Sequence, residues 1–178
     1  DWGDGIIENG VSGNLTHEYT VPAEHIITIE KDSNEGGSEG HNTMVLTLAM
    51  GIKEVIQWWS KGYEIIGFAL NSDSDFQNTL VKVPSTAPRV FQSEQSGGGV
   101  PIFKRCSVFN DSNILKWDVS KWGDFSFFFE DCTVFNQPIG LHWNFTKANN
   151  FKAFLQGCKK YNQPWPNFSS VSLSQPET

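Results

Sequence analysis

The sequence predicts a mixed fold, a short β module at the start followed by a solenoid of stacked coils. Three observations predict it. Cys106, Cys132 and Cys158 are spaced by 26 residues and then by 26 again. Phe103–Phe128 aligns without gaps on Phe129–Phe154, with ten of 26 positions identical, where chance would give roughly one or two. Near the start, apolar residues alternate in HIITIE after a GDG turn signal, the pattern of a strand that follows a tight turn.

The repeat explains the residue types. A fixed period of this length means units that cannot bury their apolar faces alone and stack to do so. The matched pairs include Phe103/Phe129, Cys106/Cys132, Phe109/Phe135, Trp117/Trp143 and Phe125/Phe151. They are expected to form ladders along the stack, with the thiols acting as small buried hydrophobes. Asn110/Asn136 is expected to hydrogen-bond the backbone of a turn that recurs in each coil. A third copy starts at Leu155, keeps Cys158 and Asn162-Gln163-Pro164, places Tyr161 for Phe, and then shortens.

The phrases FEDCTVFNQPIGLHWNFTKANNF and LQGCKKYNQPWPNF resemble the repeat of bacterial surface proteins called BspA-like. The pattern stands here as Cys106, Phe109-Asn110 and Trp117-Asp118-Val119-Ser120, and again one period later. The resemblance implies leucine-rich-repeat-like coils and a place on bacterial surfaces, in lipoproteins, or in phage and other viral proteins, with functions that are mostly adhesive or unknown. It extends upstream to IKEVIQWWSKGYEIIGFAL and to NTLVKVPSTAP, read as irregular leading coils, with QSEQSGGGVP (Gln92–Pro101) as a Gly-rich insertion.

At the N-terminus, Trp2-Gly3-Asp4-Gly5 and His17-Glu18-Tyr19 are similar to polycystic-kidney-disease-type immunoglobulin-like domains. That resemblance implies part of an immunoglobulin-like β-sandwich whose opening strands lie before Asp1 or come from another chain. The expected organisation is a partial immunoglobulin-like domain over 1–51, leading coils over 52–102, and BspA-like repeats with a C-terminal tail over 103–178. The start at Asp1 reads as a processed product or a piece of a longer protein.

Composition narrows the function. The net charge is −7, and an acidic surface repels phosphate backbones, so nucleic acid is not an expected partner. The longest apolar run, Met44–Ile52, is too short to span a bilayer. An odd number of cysteines argues against a complete disulfide framework, and no CxxC or HExxH pattern supports a metal. His142 aligns with Lys116 and reads as a surface position, and His17 reads as support for its turn. Asp32–Gly37 begins like an EF-hand loop but has Thr43 at position 12, and Asn71–Asp75 is oxygen-rich; both read as solvated loops. No nucleophile or phosphate-binding motif appears. The sequons at Asn110 and Asn144 coincide with repeat positions.

Trp117 and Trp143 recur in register and are expected in the core. Trp122 and Trp165 align instead with Ala148 and Ile139. A tryptophan outside the ladder is less constrained by stacking, so these two are the candidate contacts for a protein or a sugar face. The expected protein is a non-enzymatic structural and interaction component without cofactor or metal. It would be displayed on a virion, as a decoration, fibre or tail component, or on a cell surface as an adhesin or carbohydrate-binding module. Expected partners are other proteins of an assembly, surface glycans and further copies of the chain.

Overall fold

A computed structural model describes residues 1–9, 17–21, 23–28, 42–45, 53–58, 63–67, 79–88 and 102–165. The Gly-rich insertion and both oxygen-rich loops lie outside the described residues. The chain forms two compact units, Asp1–Gly40 and His41–Thr178.

The first unit corrects the β-sandwich expectation. Among its described residues there is no strand. The segments are held by isolated bonds instead: the Asp1 ammonium donates to the Thr28 carbonyl at 3.0 Å, Thr28 N–H donates back to the Asp1 carbonyl, and Trp2 N–H donates to Ile6 O. Ile6, Ile7, Ile26 and Ile27 are exposed. A sandwich needs two sheets whose inner faces bury such residues, and among the described residues none covers them.

In the second unit, strand β1 (Asn42–Val45) pairs in parallel with strand β2 (Tyr63–Gly67), with an irregularity between Met44 and Val45. A further parallel bridge joins Glu54 to Lys82, with Val55 N–H on Lys82 O and Val81 N–H on Lys53 O. This leading coil buries Trp58, Leu80 and Val83, so the apolar positions of the LxxVP stretch do face inward.

The leucine-rich-repeat-like reading of the solenoid is corrected as well. Over 102–165 the coils stack, but no strand forms; Asp124↔Asn150 is an isolated bridge. Each wall is a chain of tight turns. Cys106 N–H closes onto Phe103 O, Phe128 onto Phe125 O, Cys132 onto Phe129 O, Phe154 onto Phe151 O and Cys158 onto Leu155 O, at 2.8–3.3 Å. The third residue of each turn is left-handed: Arg105 (φ 63°), Phe127 (58°), Asp131 (60°), Ala153 (53°) and Gly157 (74°). Positive φ at that place is the mark of a type II turn, and it breaks the extended run that a strand needs.

Odd-numbered residues bond to the next coil. Phe103, Arg105, Phe125, Phe127, Phe129 and Asp131 each donate to the carbonyl 25 residues on, at 2.6–3.0 Å. Backbone donors therefore alternate between closing a turn and holding the next coil. The residues at the turn corners, Phe103, Cys106, Phe125, Phe128, Phe129 and Cys132, are buried. Their side chains make the ladders: Phe103 stacks on Phe129 at 5.4 Å, Phe109 on Phe135 and Phe135 on Tyr161 at 6.1 Å, Phe125 on Phe151 at 5.6 Å, and Trp117 on Trp143 at 6.4 Å.

Two matched positions behave differently in successive coils. Before Trp117 the chain makes a 3-10 helix (Ser112–Lys116) capped by Asp111, and Trp117 N–H closes onto Ile114 O. Before Trp143 it makes an α turn, α1 (Ile139–His142), and Trp143 N–H closes onto Ile139 O. The α turn is one residue longer per bond than the 3-10 turn. The buried anchor thus moves from three residues before the Trp to four, and Ile114 and Ile139 fill equivalent places although they do not align. Leu141 is left 71% exposed despite its identity with Leu115.

Deleting a ladder ring should leave a cavity that neighbouring coils cannot close. Phe135→Ala and Trp143→Ala are expected to destabilise by about 3–5 kcal/mol each, and Leu141→Ala by less than about 0.5 kcal/mol. Tyr161 ends the Phe109/Phe135 column with a buried hydroxyl that has no hydrogen-bond partner among the described residues, so Tyr161→Phe should stabilise by about 1 kcal/mol. Urea titrations of the four variants check the order; equal small losses for Phe135→Ala, Trp143→Ala and Leu141→Ala would refute the shared core.

Candidate functional site

The polar side chains that recur with the period are engaged between coils. Cys132 S–H donates to Phe103 O at 2.8 Å and Cys158 S–H to Phe129 O at 3.1 Å. Trp143 Nε1–H donates to Ile114 O at 2.8 Å and Trp117 Nε1–H to Pro84 O at 2.9 Å. Asp111 accepts from Val83 N–H while Asn113 Nδ2 donates to Val83 O, which binds the leading coil to the first repeat. Burial pushes the Cys132 thiol far above the ordinary range, and the Cys158 thiol, half buried, up to about 12. Both remain protonated donors, without the thiolate that nucleophilic or ligand chemistry requires.

A second ladder runs along the outside. Asn110 Oδ1 accepts from Asn136 N–H at 2.8 Å, and Asn136 Oδ1 accepts from Asn162 N–H at 2.9 Å. Gln137 Nε2 donates to Asn110 O at 2.8 Å and Gln163 Nε2 to Asn136 Oδ1 at 3.2 Å. Each Asn-Gln pair thus reads back onto the Asn of the coil before it. Asp118 and Asn144 use the same local device, each accepting from the N–H two residues on, which stabilises a turn. Asn110 and Asn144, the two described sequons, are exposed.

The two off-register tryptophans separate. Trp122 is buried at 7% exposure, edge-on to Trp117 at 6.2 Å and tilted against Phe125 and Phe128 at 5.9 Å. Its indole fills core space, and the structure corrects its reading as an exposed contact. One coil on, Ala148 takes its place while Phe145 replaces Val119, and all four are buried. Trp with Val in one coil and Ala with Phe in the next keep the volume similar. That paired swap was visible in the sequence and is the signal for core filling. Trp165 is 61% exposed, edge-on to Tyr161 at 6.3 Å. His142 is exposed.

In the first unit, His17 stacks on Trp2 at 4.9 Å, meets Tyr19 edge-on at 4.7 Å, and bonds Asp4 Oδ2 through Nε2 at 2.7 Å. Tyr19 O–H donates to Trp2 O at 2.7 Å, and His25 stacks on Tyr19 at 4.1 Å. The cluster fixes the Trp2–Gly5 turn. Gly3 is required there: at φ 80°, a Cβ would lie 2.5 Å from the Ile26 carbonyl oxygen. Among the described residues no group of three or more His, Cys, Asp or Glu is placed to hold a metal, and no helix is long and apolar enough to cross a membrane.

Two outcomes test these assignments. The bond from His17 holds the Asp4 carboxyl below its ordinary 3.8. A lowered folded pKa gives stability that is complete above the unfolded value and lost as pH falls through the folded one. The Trp2 fluorescence of the first unit should therefore change below about pH 4, and Asp4→Asn should remove that acid transition. For the second unit, a soluble disulfide reagent at pH 8 should leave Cys132 unlabelled in the native protein and label it in urea; native labelling of Cys132 as fast as unfolded labelling would contradict the buried ladder.

Comparison with known proteins bears on the coils alone. No curated protein and no solved structure matches the chain. The resemblance to polycystic-kidney-disease-type domains lies in residues outside the family match. Residues 100–177 match the family described as Mycoplasma protein of unknown function, DUF285, a BspA-like family, and that span contains the stacked turns, their thiol ladder and Trp165.

Proposed function

We propose that the chain is a non-enzymatic structural and interaction protein that works through surface area and is displayed on a virion or cell surface. The observation that carries this reading is the use made of the recurrent polar groups. The thiols of Cys132 and Cys158, the indole N–H groups of Trp117 and Trp143 and the Asn-Gln amides bond one coil to another. Residues that could serve chemistry are spent on holding a regular surface. A stack of this kind presents one continuous face, and contacts made on it add along its length.

The acidic net charge supports a soluble display role and disfavours a polyanionic partner. The match of residues 100–177 to a BspA-like family supports a surface setting, since the resemblance implies one.

Fractionation of the natural source into particles, envelope, medium and soluble interior tests the proposal. An antibody against the coils should stain intact particles or cells, and the protein should leave the soluble interior. Recovery only from the soluble interior, with no staining until the particles or cells are opened, would overturn it.

A further inference from the structure

We propose that Asn144 is the acceptor of an N-linked glycan in the native protein. The inference rests on the proposed surface role, because the Asn-x-Ser/Thr signal is read in exported chains.

The sequon Asn144-Phe145-Thr146 is presented as one outward-facing unit. Phe145 is buried, edge-on to Phe125 at 5.1 Å and to Phe151 at 5.4 Å. Asn144 and Thr146 on either side of it are exposed. The ring thus pins the segment to the core while its two neighbours stay in solvent. Thr146 N–H donates to Asn144 Oδ1 at 3.0 Å, and the Thr146 hydroxyl donates to the same oxygen. The amide and the hydroxyl that define the signal are therefore held side by side on the surface.

The fold makes no use of the amide nitrogen. Among the described residues no hydrogen bond involves Asn144 Nδ2. One coil earlier, Asp118 accepts from Ser120 N–H in the same turn through a carboxylate oxygen. An acceptor is all that the turn requires, so the repeat accounts for Oδ1 and leaves Nδ2 without a structural task. Nearby, Leu141 is 71% exposed. A bulky solubilising group rooted three residues on would screen it from chance association.

Asn110, the other described sequon, is built differently. Its Oδ1 accepts from Asn136 N–H at 2.8 Å and from Gln137 Nε2 at 3.1 Å, so the next coil clasps the amide. Asp111, the middle residue, bonds Val83 N–H, and Ser112 begins the 3-10 helix. Geometry thus favours Asn144 where the sequence pattern treats the two alike.

The co-substrate is a lipid-linked glycosyl diphosphate, used by a transferase that supplies the base. Asn144 Nδ2 forms a bond to C1 of the sugar, and the bond from C1 to the diphosphate oxygen breaks. The diphosphate leaves with the electron pair, and one amide proton passes to the base.

Mass spectrometry of tryptic peptide 122–147 tests the proposal, since this peptide holds Asn144 and no other sequon. The peptide from the native protein, and from the full chain secreted by a glycosylating cell, should carry a glycan on Asn144. Asn144→Asp keeps the acceptor oxygen, so the secreted variant should melt as the parent does and lose the glycan from this peptide. Thr146→Ala should also lose it and Thr146→Ser should keep it. Ser112→Ala, which deletes the Asn110 sequon without touching the amide ladder, should leave it in place. A bare peptide from either the native or the secreted chain would overturn the inference. Surface staining separates the two readings. A stained surface with a bare peptide removes the glycan and leaves the surface role. A glycan on a protein confined to the soluble interior removes the surface role and leaves the site.

Discussion

Everything in the repeat region depends on the division of backbone donors between two partners. Within a wall, one N–H closes a four-residue turn and the next reaches the carbonyl of the following coil. Buried backbone groups must be paired, and this division pairs them without a strand. In five of these turns the third residue is left-handed, at a cost of about 1–2 kcal/mol for a residue with a Cβ. Asp131 suits that place better than most residues, and Gly157 suits it best. Gly157 has a second reason to be glycine, because a Cβ there would run into the Asp131 side chain and lie 3.1 Å from its Cα.

Once the turns are set, the side chains follow. Corner residues point inward and stack on their counterparts one coil away, which is why Phe dominates them. Flat rings can repeat along an axis at the coil spacing and fill the space between walls, and their burial supplies the main driving force. Cys fits the tightest corner because it is small and its S–H reaches a carbonyl of the coil before. The outside of the wall is organised just as regularly. Lys104 bonds Glu130 at 2.6 Å across a coil boundary, and Lys104 and Lys152 both lie over the Phe127 ring. An ordered outer surface comes from an ordered core here.

Much of this was legible beforehand, and for a physical reason. A stacked array places equivalent residues in equivalent environments, so the period of Phe, Cys, Trp and Asn could be read without any structure. The Asn ladder was expected to bond a recurring turn, and Asn110 and Asn136 accept from the next coil at that place. The candidate contacts were half legible. Being out of register marked Trp122 and Trp165 as unusual, but position in the ladder does not determine exposure. Trp122 is buried because Val119 beside it is small, and Trp165 stands outside.

The sequence by itself determined the period, the register of the ladders and the identity of the residues in them, because burial selects side-chain type at every turn of the stack. Only the tertiary structure decided how the backbone is bonded. Phe-rich alternation is compatible with strands, and so is the apolar HIITIE. Whether such a segment extends depends on φ at a few residues, and Arg105, Phe127 and Ala153 carry no local signal for a left-handed conformation. It is imposed by the coils packed on either side. The same is true of the first unit. A Trp-Gly-Asp-Gly turn and a His-x-Tyr pair suffice to build the Trp2, His17, Tyr19 and His25 cluster, but a sandwich needs a second sheet to bury its isoleucines, and among the described residues no sheet does so.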